Sequence, residues 1–421
     1  MGRILLFVFV AYSFLFGILG REVGGFPYGL VFEGLILIIW IVVLKQSTKE
    51  DYDKINSDLF YLFFLWFLIS VLQVINPGSS LLGWLAEIRT TAFYPLMIVA
   101  LGLLIFRGHK DLDIFLILLV GLSTLAGING IKQLYWGPWP GEQRYLDGGG
   151  YLTHILFGKL RVFSFYSDAG QFGASQAQVG LISIILALGK FKAKTRWIFL
   201  GCGIVQIYGM LISGTRGALF ALIVGVFVAI ILSKNFKVIL IGGLLACSFL
   251  FILKYTYIGN SNYQIYRLRT AVNPEDPSLN LRFNTQRMLR EYMSTRPFGG
   301  GLGVIGYNGA LYNSDKFLST VPPDSYYVKV WAMYGIVGFT IWLGIMLYIL
   351  GKCCGLVWNI KDPLLKVKMI ALTSGFSGIL FCSYGNEVIN NMPSSTVVCV
   401  SLVFVFMTPR IQRGGENVLL Y

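Results

Sequence analysis

The run at residues 216–233, RGALFALIVGVFVAIILS, carries one charged residue among eighteen. At a rise of about 1.5 Å per residue, a helix of this length approaches the roughly 30 Å thickness of a bilayer's hydrocarbon core. Runs of the same kind recur along the chain, in which 56% of residues are hydrophobic and only 13% are charged. Soluble domains hold about 25% charged residues. The sequence therefore predicts an all-α integral membrane protein rather than a soluble domain.

Apolar runs of this length predict about twelve transmembrane helices, joined in one polytopic membrane domain that covers residues 1–421. The predicted spans are residues 4–20, 27–45, 58–76, 90–106, 113–133, 172–190, 197–213, 216–233, 236–254, 326–350, 366–386 and 392–408. Between two of them, Ser213-Gly214-Thr215-Arg216 leaves almost no loop.

Two polar segments are too long to be simple turns: residues 134–171 and, above all, residues 255–325. Long loops in an otherwise compact chain are usually functional. Within the longer segment, residues 280–296 (NLRFNTQRMLREYMSTR) have the apolar side of a helix. Pro297 and the glycines that follow would end this helix and let the backbone approach another segment closely. We therefore expect the long segment to be partly helical and to cover an active site at the membrane surface.

Lysines and arginines in the short loops predict the orientation, because positive residues accumulate in cytoplasmic loops. With the N-terminus inside, the inner segments hold eighteen Lys and Arg residues, whereas the short outer loops hold three, namely Arg21, Arg89 and Arg216. Both termini are therefore predicted to be cytoplasmic. The two long polar segments then face the side that lacks ATP and nucleotide sugars. A substrate used there must arrive already activated, and a lipid-linked diphosphate is such a substrate.

The formal charge of +14 does not indicate a nucleic-acid partner, since no soluble basic domain accompanies it. In a membrane protein, excess Lys and Arg reflect orientation and anionic headgroups. The six cysteines lie in or beside predicted spans, and the two histidines, His109 and His154, are far apart in sequence. Neither set has the spacing of a disulfide framework or of a metal site. We therefore expect no metal and no other cofactor.

Arginines dominate the polar residues that are predicted on the outer side. They are Arg89, Arg144, Arg161, Arg216, Arg267, Arg269, Arg282, Arg287, Arg290 and Arg296. Arginine suits bidentate phosphate binding and stays charged when partly buried. Arg216 stands out because it interrupts apolar sequence at the mouth of two spans, and Arg161 shortly precedes another span. Any single loop arginine could instead bind lipid headgroups or face solvent, and Arg89 could pair with Glu87.

Asp324 is the best candidate for a general base. It follows two prolines and lies just before the span at residues 326–350, where its carboxylate could take a proton from an acceptor hydroxyl. It could also cap the helix that follows, since Asp is a favoured N-cap residue.

Three further polar or aromatic features lie near the predicted outer surface. Tyr326 and Tyr327 could stack on sugars or act as ordinary interfacial aromatics. Glu33 lies inside the second predicted span, and its partner is not evident from the sequence. The polar turn at residues 387–391 could line the same basin or simply connect two spans.

Several stretches, in the same order, resemble the O-antigen ligase and O-antigen polymerase family of membrane glycosyltransferases. They are Arg161 with Phe165, Asp168 and Phe172; SGTRGA at 213–218; RFNTQRMLREYMSTRPFGGGL at 282–302; and DSYY at 324–327 followed by YGIVG at 334–338. Arg290 also precedes Gly301 by ten intervening residues, a spacing that recurs in polymerase periplasmic loops. Asp324 stands where many relatives, notably the ligases, have histidine, and this difference favours a polymerase.

The resemblance implies a GT-C-like, metal-independent glycosyltransferase of the bacterial inner membrane, with its active site on the periplasmic side. It would transfer glycan from an undecaprenyl-diphosphate-linked donor to a hydroxyl of an acceptor repeat unit, as an O-antigen or exopolysaccharide polymerase. An O-antigen ligase, which builds lipopolysaccharide by transferring glycan to lipid A core, is the alternative. A transporter or flippase is a third reading. Besides membrane lipids, a chain-length regulator could be a partner.

In this scheme, Arg216, Arg161 and Arg290 stabilise charge on the leaving diphosphate, and Asp324 deprotonates or orients the acceptor hydroxyl. The other residues expected to contact substrate are Arg89, Arg282, Arg287, Tyr326, Tyr327 and Gly301. The long segment would close over both glycans and exclude water that would otherwise hydrolyse the donor.

Overall fold

The computed structural model describes residues 1–24, 27–156, 158–235, 240, 243–244, 248, 251–258, 266–267, 269, 277–323 and 325–416. Most of these residues are helical. In chain order the helices are α1 (Gly2–Glu22), α2 (Leu30–Gln46), α3 (Lys49–Tyr52), α4 (Asp58–Leu72), α5 (Leu81–Ile88), α6 (Tyr94–Ile105), α7 (His109–Tyr135), α8 (Pro140–Tyr145), α9 (Tyr151–His154), α10 (Ala169–Ala187), α11 (Ala193–Ile212), α12 (Arg216–Ser233), α13 (Pro277–Met293), α14 (Gly306–Tyr312), α15 (Tyr326–Trp358), α16 (Pro363–Cys382), α17 (Ser394–Phe406) and α18 (Thr408–Glu416). Two short strands, β1 (Ile155–Leu156) and β2 (Lys159–Leu160), pair antiparallel with Ile155 opposite Leu160.

Eight helical segments of the described residues are long and apolar enough to cross a membrane. They are Gly2–Glu22, Asp58–Ile75, Leu81–Ile105, His109–Tyr135, Ala193–Ile212, Arg216–Ser233, Tyr326–Trp358 and Pro363–Cys382. Three other predicted spans coincide with helices that are shorter or more polar, namely α2 with 17 residues, α17 with 13 residues and the glutamine-bearing α10. The predicted span at 236–254 lies largely outside the described residues. A multi-pass, all-helical membrane protein is therefore confirmed, and the count of twelve spans stays a prediction.

Two predicted boundaries differ from the structure. The span predicted at 90–106 is the second half of a longer helical segment, in which α5 runs through the π-helical residues Arg89–Phe93 into α6. The loop helix predicted at 280–296 is α13, which occupies Pro277–Met293. It starts earlier because proline is well suited to the first helical position.

Two contacts join segments that are predicted to lie on the same side of the membrane. At one end, the start of α1 packs on the ends of α2 and α6, where Val42 and Ile105 lie 3.7 Å from a Cβ placed on Gly2. At the other end, the turn between α11 and α12 meets the start of α10, because the Thr215 hydroxyl donates to Ala169 O at 2.8 Å. These two contacts agree with the predicted topology, and the orientation of the helices in the membrane stays a prediction.

Helix α10 is buried along most of its length and contacts α7, α11, α12 and α16. Several of its polar side chains hydrogen-bond to neighbouring helices. The Gln176 amide donates to Ser123 O at 3.0 Å, and the Ser183 hydroxyl donates to Gln206 Oε1 at 2.7 Å. Gln206 in turn donates to Val120 O at 3.1 Å. Polar groups need protein partners within a bilayer, so this helix is enclosed by other helices.

Helix α15 is broken at Gly335, whose φ of 69° and ψ of −173° lie in a region that is almost restricted to glycine. A break frees backbone groups that need other partners. Residues 297–303, termed the glycine run, supply them: Pro297 O accepts from Val337 N at 3.2 Å. Two further bonds run from Gly300 N to Ala332 O at 2.8 Å and from Gly301 N to Met333 O at 3.0 Å.

The glycine run also lies against the corner between α4 and α5. Gln73 Nε2 donates to Phe298 O at 3.2 Å, and Asn76 Nδ2 donates to Gly299 O at 3.2 Å. The predicted close approach of these glycines is therefore confirmed, and the segments approached are α15 and the α4–α5 corner.

Candidate functional site

The turn between α11 and α12 is shaped by its own side chains. Gly214 has a φ of +60°, a conformation that favours glycine. The Ser213 hydroxyl donates to Met210 O at 2.7 Å and accepts from Thr215 N at 3.1 Å. Because Thr215 also donates to Ala169 O, this turn is fixed against the start of α10.

Three arginines meet at this turn and are termed the arginine site: Arg161, Arg216 and Arg267. Arg216 is the first residue of α12. Arg161 Nη2 donates to Thr215 Oγ1 at 3.4 Å. Arg267 Nε donates to Gly214 O at 2.7 Å. Since the first N–H groups of a helix also attract negative charge, the site suits a multiply charged anion such as a diphosphate.

Arg161 is held by the small hairpin that precedes it, and its backbone N–H donates to His154 O at 2.7 Å. His154 is buried between the rings of Tyr145 and Phe163, and its Nδ1 lies 2.9 Å from Gly150 O. Burial lowers the pKa of His154, because the imidazolium form would be poorly solvated there, and the like charge of Arg161 acts in the same direction. Burial therefore favours the neutral form of His154, which directly precedes the hairpin that holds Arg161.

The connection between α16 and α17 borders the same turn. The Asn386 amide packs against Gly217, the second residue of α12, so closely that a Cβ there would collide with it. On its other side, Asn386 O accepts from Tyr326 N at 3.3 Å, and Ser383 O accepts from the same N–H at 3.0 Å. Asn386 thus separates the start of α12, with Arg216, from the start of α15.

The candidate base Asp324 lies outside the described residues. Its neighbour Ser325 is buried and caps α15, since the Ser325 hydroxyl accepts from Val328 N at 3.4 Å. The capping role that the sequence offered to Asp324 is therefore filled by Ser325. The role of Asp324 as a base stays a prediction.

A buried ion triad lies one helical turn beyond Ser325. Lys329 Nζ is 2.8 Å from Glu87 Oε1 and 2.7 Å from Glu387 Oε1. The side chains of Lys329 and Glu87 are only 7% and 1% exposed, whereas that of Glu387 is 22% exposed. Asn308 donates to Glu87 at 2.7 Å, and Asn390 donates to Glu387 at 2.9 Å. The triad therefore ties α5, α14 and α15 to the connection that carries Asn386.

Arg89 is paired with Glu33, the acid whose partner was not evident from the sequence. The Tyr94 hydroxyl joins this pair, accepting from Arg89 Nη2 at 3.1 Å and donating to Glu33 Oε1. The ion pair anticipated between Arg89 and Glu87 is therefore wrong, because Glu87 is taken by Lys329. Substrate binding by Arg89 stays a prediction.

The arginines of α13 are placed differently from those of the arginine site. The helix packs on α15, with Leu289 and Met293 buried. Arg287 and Arg290 are exposed, and among the described residues neither hydrogen-bonds to the arginine site. The side chain of Arg282 lies outside the described residues. The structure thus gathers Arg161, Arg216 and Arg267, while the roles proposed for these α13 arginines remain untested.

Three other predicted contacts are built into the packing around α15. Tyr326 is only 3% exposed, and its ring centroid lies 5.4 Å from that of Trp342. The half-buried Tyr327 donates through its hydroxyl to Leu380 O at 3.1 Å. Gly301 is buried in the glycine run with a φ of +93°. All three support the scaffold beside the site in this structure, and their contact with substrate stays a prediction.

Sequence reasoning named Arg267 among the outer arginines without singling it out, and it missed Lys329 and Asn386. Lys329 had an available signal, because an ionisable residue within an apolar span is a functional-site candidate. Arg267 is one of many loop arginines, and Asn386 ends a predicted span, so neither stands out without the fold. Within the described ranges, no cluster of three or more His, Cys, Asp or Glu side chains is placed to hold a metal ion.

A family model described as O-antigen ligase matches residues 201–343. The matched region contains the turn with Arg216, the helix α13, the glycine run and the first half of α15. This match confirms the resemblance to the O-antigen polymerase and ligase family that the sequence motifs indicated. No curated protein matches the chain.

Proposed function

We propose that this chain, a relative of the O-antigen ligases and polymerases over residues 201–343, is a membrane glycosyltransferase that polymerises polysaccharide repeat units. Its donor is a glycan linked to undecaprenyl diphosphate, and its acceptor is a hydroxyl of another repeat unit. The observation that carries this proposal is the meeting of Arg161, Arg216 and Arg267 at one turn. Guanidinium groups match the charge and geometry of phosphate oxygens.

In the proposed reaction, the acceptor oxygen forms a bond to C1 of the donor sugar. The bond between C1 and the diphosphate oxygen breaks, and the diphosphate leaves with both bonding electrons. The hydroxyl proton passes to the carboxylate of Asp324. Because negative charge grows on the diphosphate in the transition state, fixed guanidinium groups lower the barrier. These cations supply charge stabilisation from the protein itself, so the proposed step uses neither a nucleotide nor a metal.

We assign the arginine site to the periplasmic side of a bacterial inner membrane, with both termini in the cytoplasm and a GT-C-like arrangement of spans. The bias of Lys and Arg among the short loops supports this orientation. The contacts of Thr215 with the start of α10 and of Gly217 with Asn386 fit it, because all three segments are predicted on that side.

The description of the matching family favours a second candidate, an O-antigen ligase that transfers glycan to lipid A core. Both reactions expel the same lipid diphosphate, so the arginine site would serve either. The resemblance weighs towards the polymerase, because Asp324 stands where ligases have histidine.

Complementation of a strain that lacks this gene tests the proposal through its glycans. Loss of a polymerase leaves a single repeat unit on the acceptor, whereas loss of a ligase accumulates lipid-linked polymer. We expect Arg216→Ala and Arg161→Ala to resemble the deletion. Arg216→Lys should keep part of the activity, since lysine retains the charge but not the bidentate geometry. Arg107→Ala, which removes an exposed arginine between α6 and α7, should leave the glycan ladder unchanged.

Two outcomes would decide against the proposal. A wild-type ladder from membrane-inserted Arg216→Ala protein would reject the arginine site. Lipid-linked polymer in the deletion strain would reject the polymerase in favour of the ligase.

A further inference from the structure

A cavity of about 880 Å³ lies beside the glycine run, between the end of α4 and the break in α15. Ile69 and Leu72 line it from α4, and Val337 and Ile341 line it from α15. Several of these side chains are well exposed, with Leu72 at 64%. Since both helices belong to membrane-spanning segments, this apolar wall faces the place where lipid chains would lie.

The basic residues of the cavity lie where Tyr292, on which the Arg296 guanidinium stacks, contacts Phe317, the residue after Lys316, with 4.5 Å between the ring centroids. Among the described residues that line it, the charged ones are Arg296 and Lys316. Lys316 is 3.2 Å from Asp315, a carboxylate that is largely exposed and does not line the cavity. With Asp315 counted, the end of the cavity carries one net positive charge.

Arg296 uses only some of its hydrogen-bond donors at the basic end of the cavity. Its guanidinium stacks on the Tyr292 ring, 3.9 Å from the centroid, and its Nη1 donates to Tyr292 O at 2.9 Å and to Thr295 Oγ1 at 3.1 Å. In the described part of the chain, its Nε and Nη2 make no hydrogen bond. The aromatic ring thus orients a guanidinium whose remaining N–H groups are available to an anion.

We propose that this cavity binds one anionic phospholipid, with its phosphate between Arg296 and Lys316 and an acyl chain along α4 and α15. A single net positive charge matches a phosphodiester, whereas a diphosphate would suit the three cations of the arginine site. None of the arginine-site residues lines the cavity, so this inference does not depend on the proposed reaction.

The bound lipid would tie the long polar segment to the bilayer. Arg296 follows α13, and Phe298 belongs to the glycine run that fills the break in α15. A headgroup held by Arg296 and a chain held along α15 therefore join this segment to the membrane. The lipid acts as part of the scaffold around the break.

Native mass spectrometry of the full-length protein, released from nanodiscs of phosphatidylglycerol and phosphatidylcholine, tests this site. We expect the wild type to retain one phosphatidylglycerol. Arg296→Ala/Lys316→Ala should lower retention by about tenfold or more, because each cation near a lipid surface contributes on the order of 1 kcal/mol. Arg107→Ala/Lys110→Ala removes an exposed Arg and Lys elsewhere and should retain the lipid as the wild type does.

Two more variants keep the test independent of folding defects. Arg296→Lys/Lys316→Arg preserves both charges and should retain the lipid. Ile341→Trp reduces the apolar part of the cavity without changing its charge, and it should weaken retention of the lipid. Equal retention of phosphatidylglycerol by the Arg296→Ala/Lys316→Ala variant and the wild type would overturn the proposal. Retention of phosphatidylcholine equal to that of phosphatidylglycerol would also overturn the proposal. Complete displacement of phosphatidylglycerol by added undecaprenyl phosphate would overturn it too.

Discussion

Lys329 and Glu387 form an ion pair at 2.7 Å between α15 and the connection that leads to α17. Glu87 of α5 lies 2.8 Å from the same ammonium group. The pairing fixes the connection that carries Asn386, and through Asn386 it bears on the start of α12. The buried ion triad thus helps to position the start of α12, where the arginine site lies.

Lys329→Met should strongly destabilise the protein, because it leaves Glu87 buried without its cation. Removing one partner of a buried ion pair costs about 3–5 kcal/mol. Lys352→Met is the matched control in the same helix, since Lys352 pairs with Asp58 on an exposed surface. Exposed pairs contribute about 0–1 kcal/mol. Thermal unfolding of the purified proteins should separate the two, and equal melting temperatures would show that the triad does not stabilise the fold.

Gly335→Ala should displace the glycine run. Alanine is strained at this φ and ψ by about 1–3 kcal/mol, and its Cβ would collide with the Pro297 carbonyl oxygen. Gly344→Ala makes the same change further along α15, where nothing lies within 4 Å of the added Cβ. Limited proteolysis should cut the segment that contains the glycine run, residues 297–303, faster in Gly335→Ala only. Identical cleavage of both variants would count against the docking described for this segment.

Arg267→Ala should slow glycan transfer, because Arg267 is held at the arginine site by its bond to Gly214 O. Loss of one donor to a developing anion typically lowers a rate by about 10²–10³. Arg269→Ala is the neighbouring control, since Arg269 instead donates to Ile258 O at 2.6 Å. Transfer measured with purified lipid-linked donor should fall for Arg267→Ala alone. Parallel losses in both variants would indicate a general effect of charge in this segment.

Acidification should destabilise the hairpin beneath Arg161. The folded pKa of His154 is lowered by burial, so between that pKa and the ordinary value of 6.5 the unfolded chain binds more protons. Stability is then fully present above the ordinary value and falls as the pH is lowered through this window. His154→Asn keeps a donor towards Gly150 O and removes the titration. Between pH 7.5 and 5.5, the melting temperature should fall more for the wild type than for this variant, and equal falls would reject the assignment.

The helices could be predicted from the sequence because apolar length alone distinguishes a membrane span. Helices α10 and α17 also coincide with predicted spans, although glutamines lower the hydropathy of α10 and α17 is only 13 residues long. Arg89–Phe93 join two helices through a π-helical turn, which an apolar pattern does not reveal.

The candidate site was only partly predictable. Arg216 and Arg161 could be singled out because each stands beside an apolar run. Pairings such as that of Arg89 with Glu33 join residues distant in sequence, and a single sequence holds no record of such contacts. Arg267 is one of several arginines in the long segment, and nothing in the sequence around it singles it out, so only the fold distinguishes it.

The glutamines of α10 have a consequence for how the chain is made. Insertion of a helix with this polar content into lipid by itself is unfavourable. The Gln176 amide nitrogen donates to Ser123 of α7, which emerges earlier from the ribosome, whereas Ser183 bonds to Gln206 of α11, which emerges later. Helix α10 should therefore enter the bilayer together with its neighbours rather than alone. The turn that bears Arg216 follows directly after α11, so we expect this turn to form as these helices assemble during synthesis, with Arg267 joining it later.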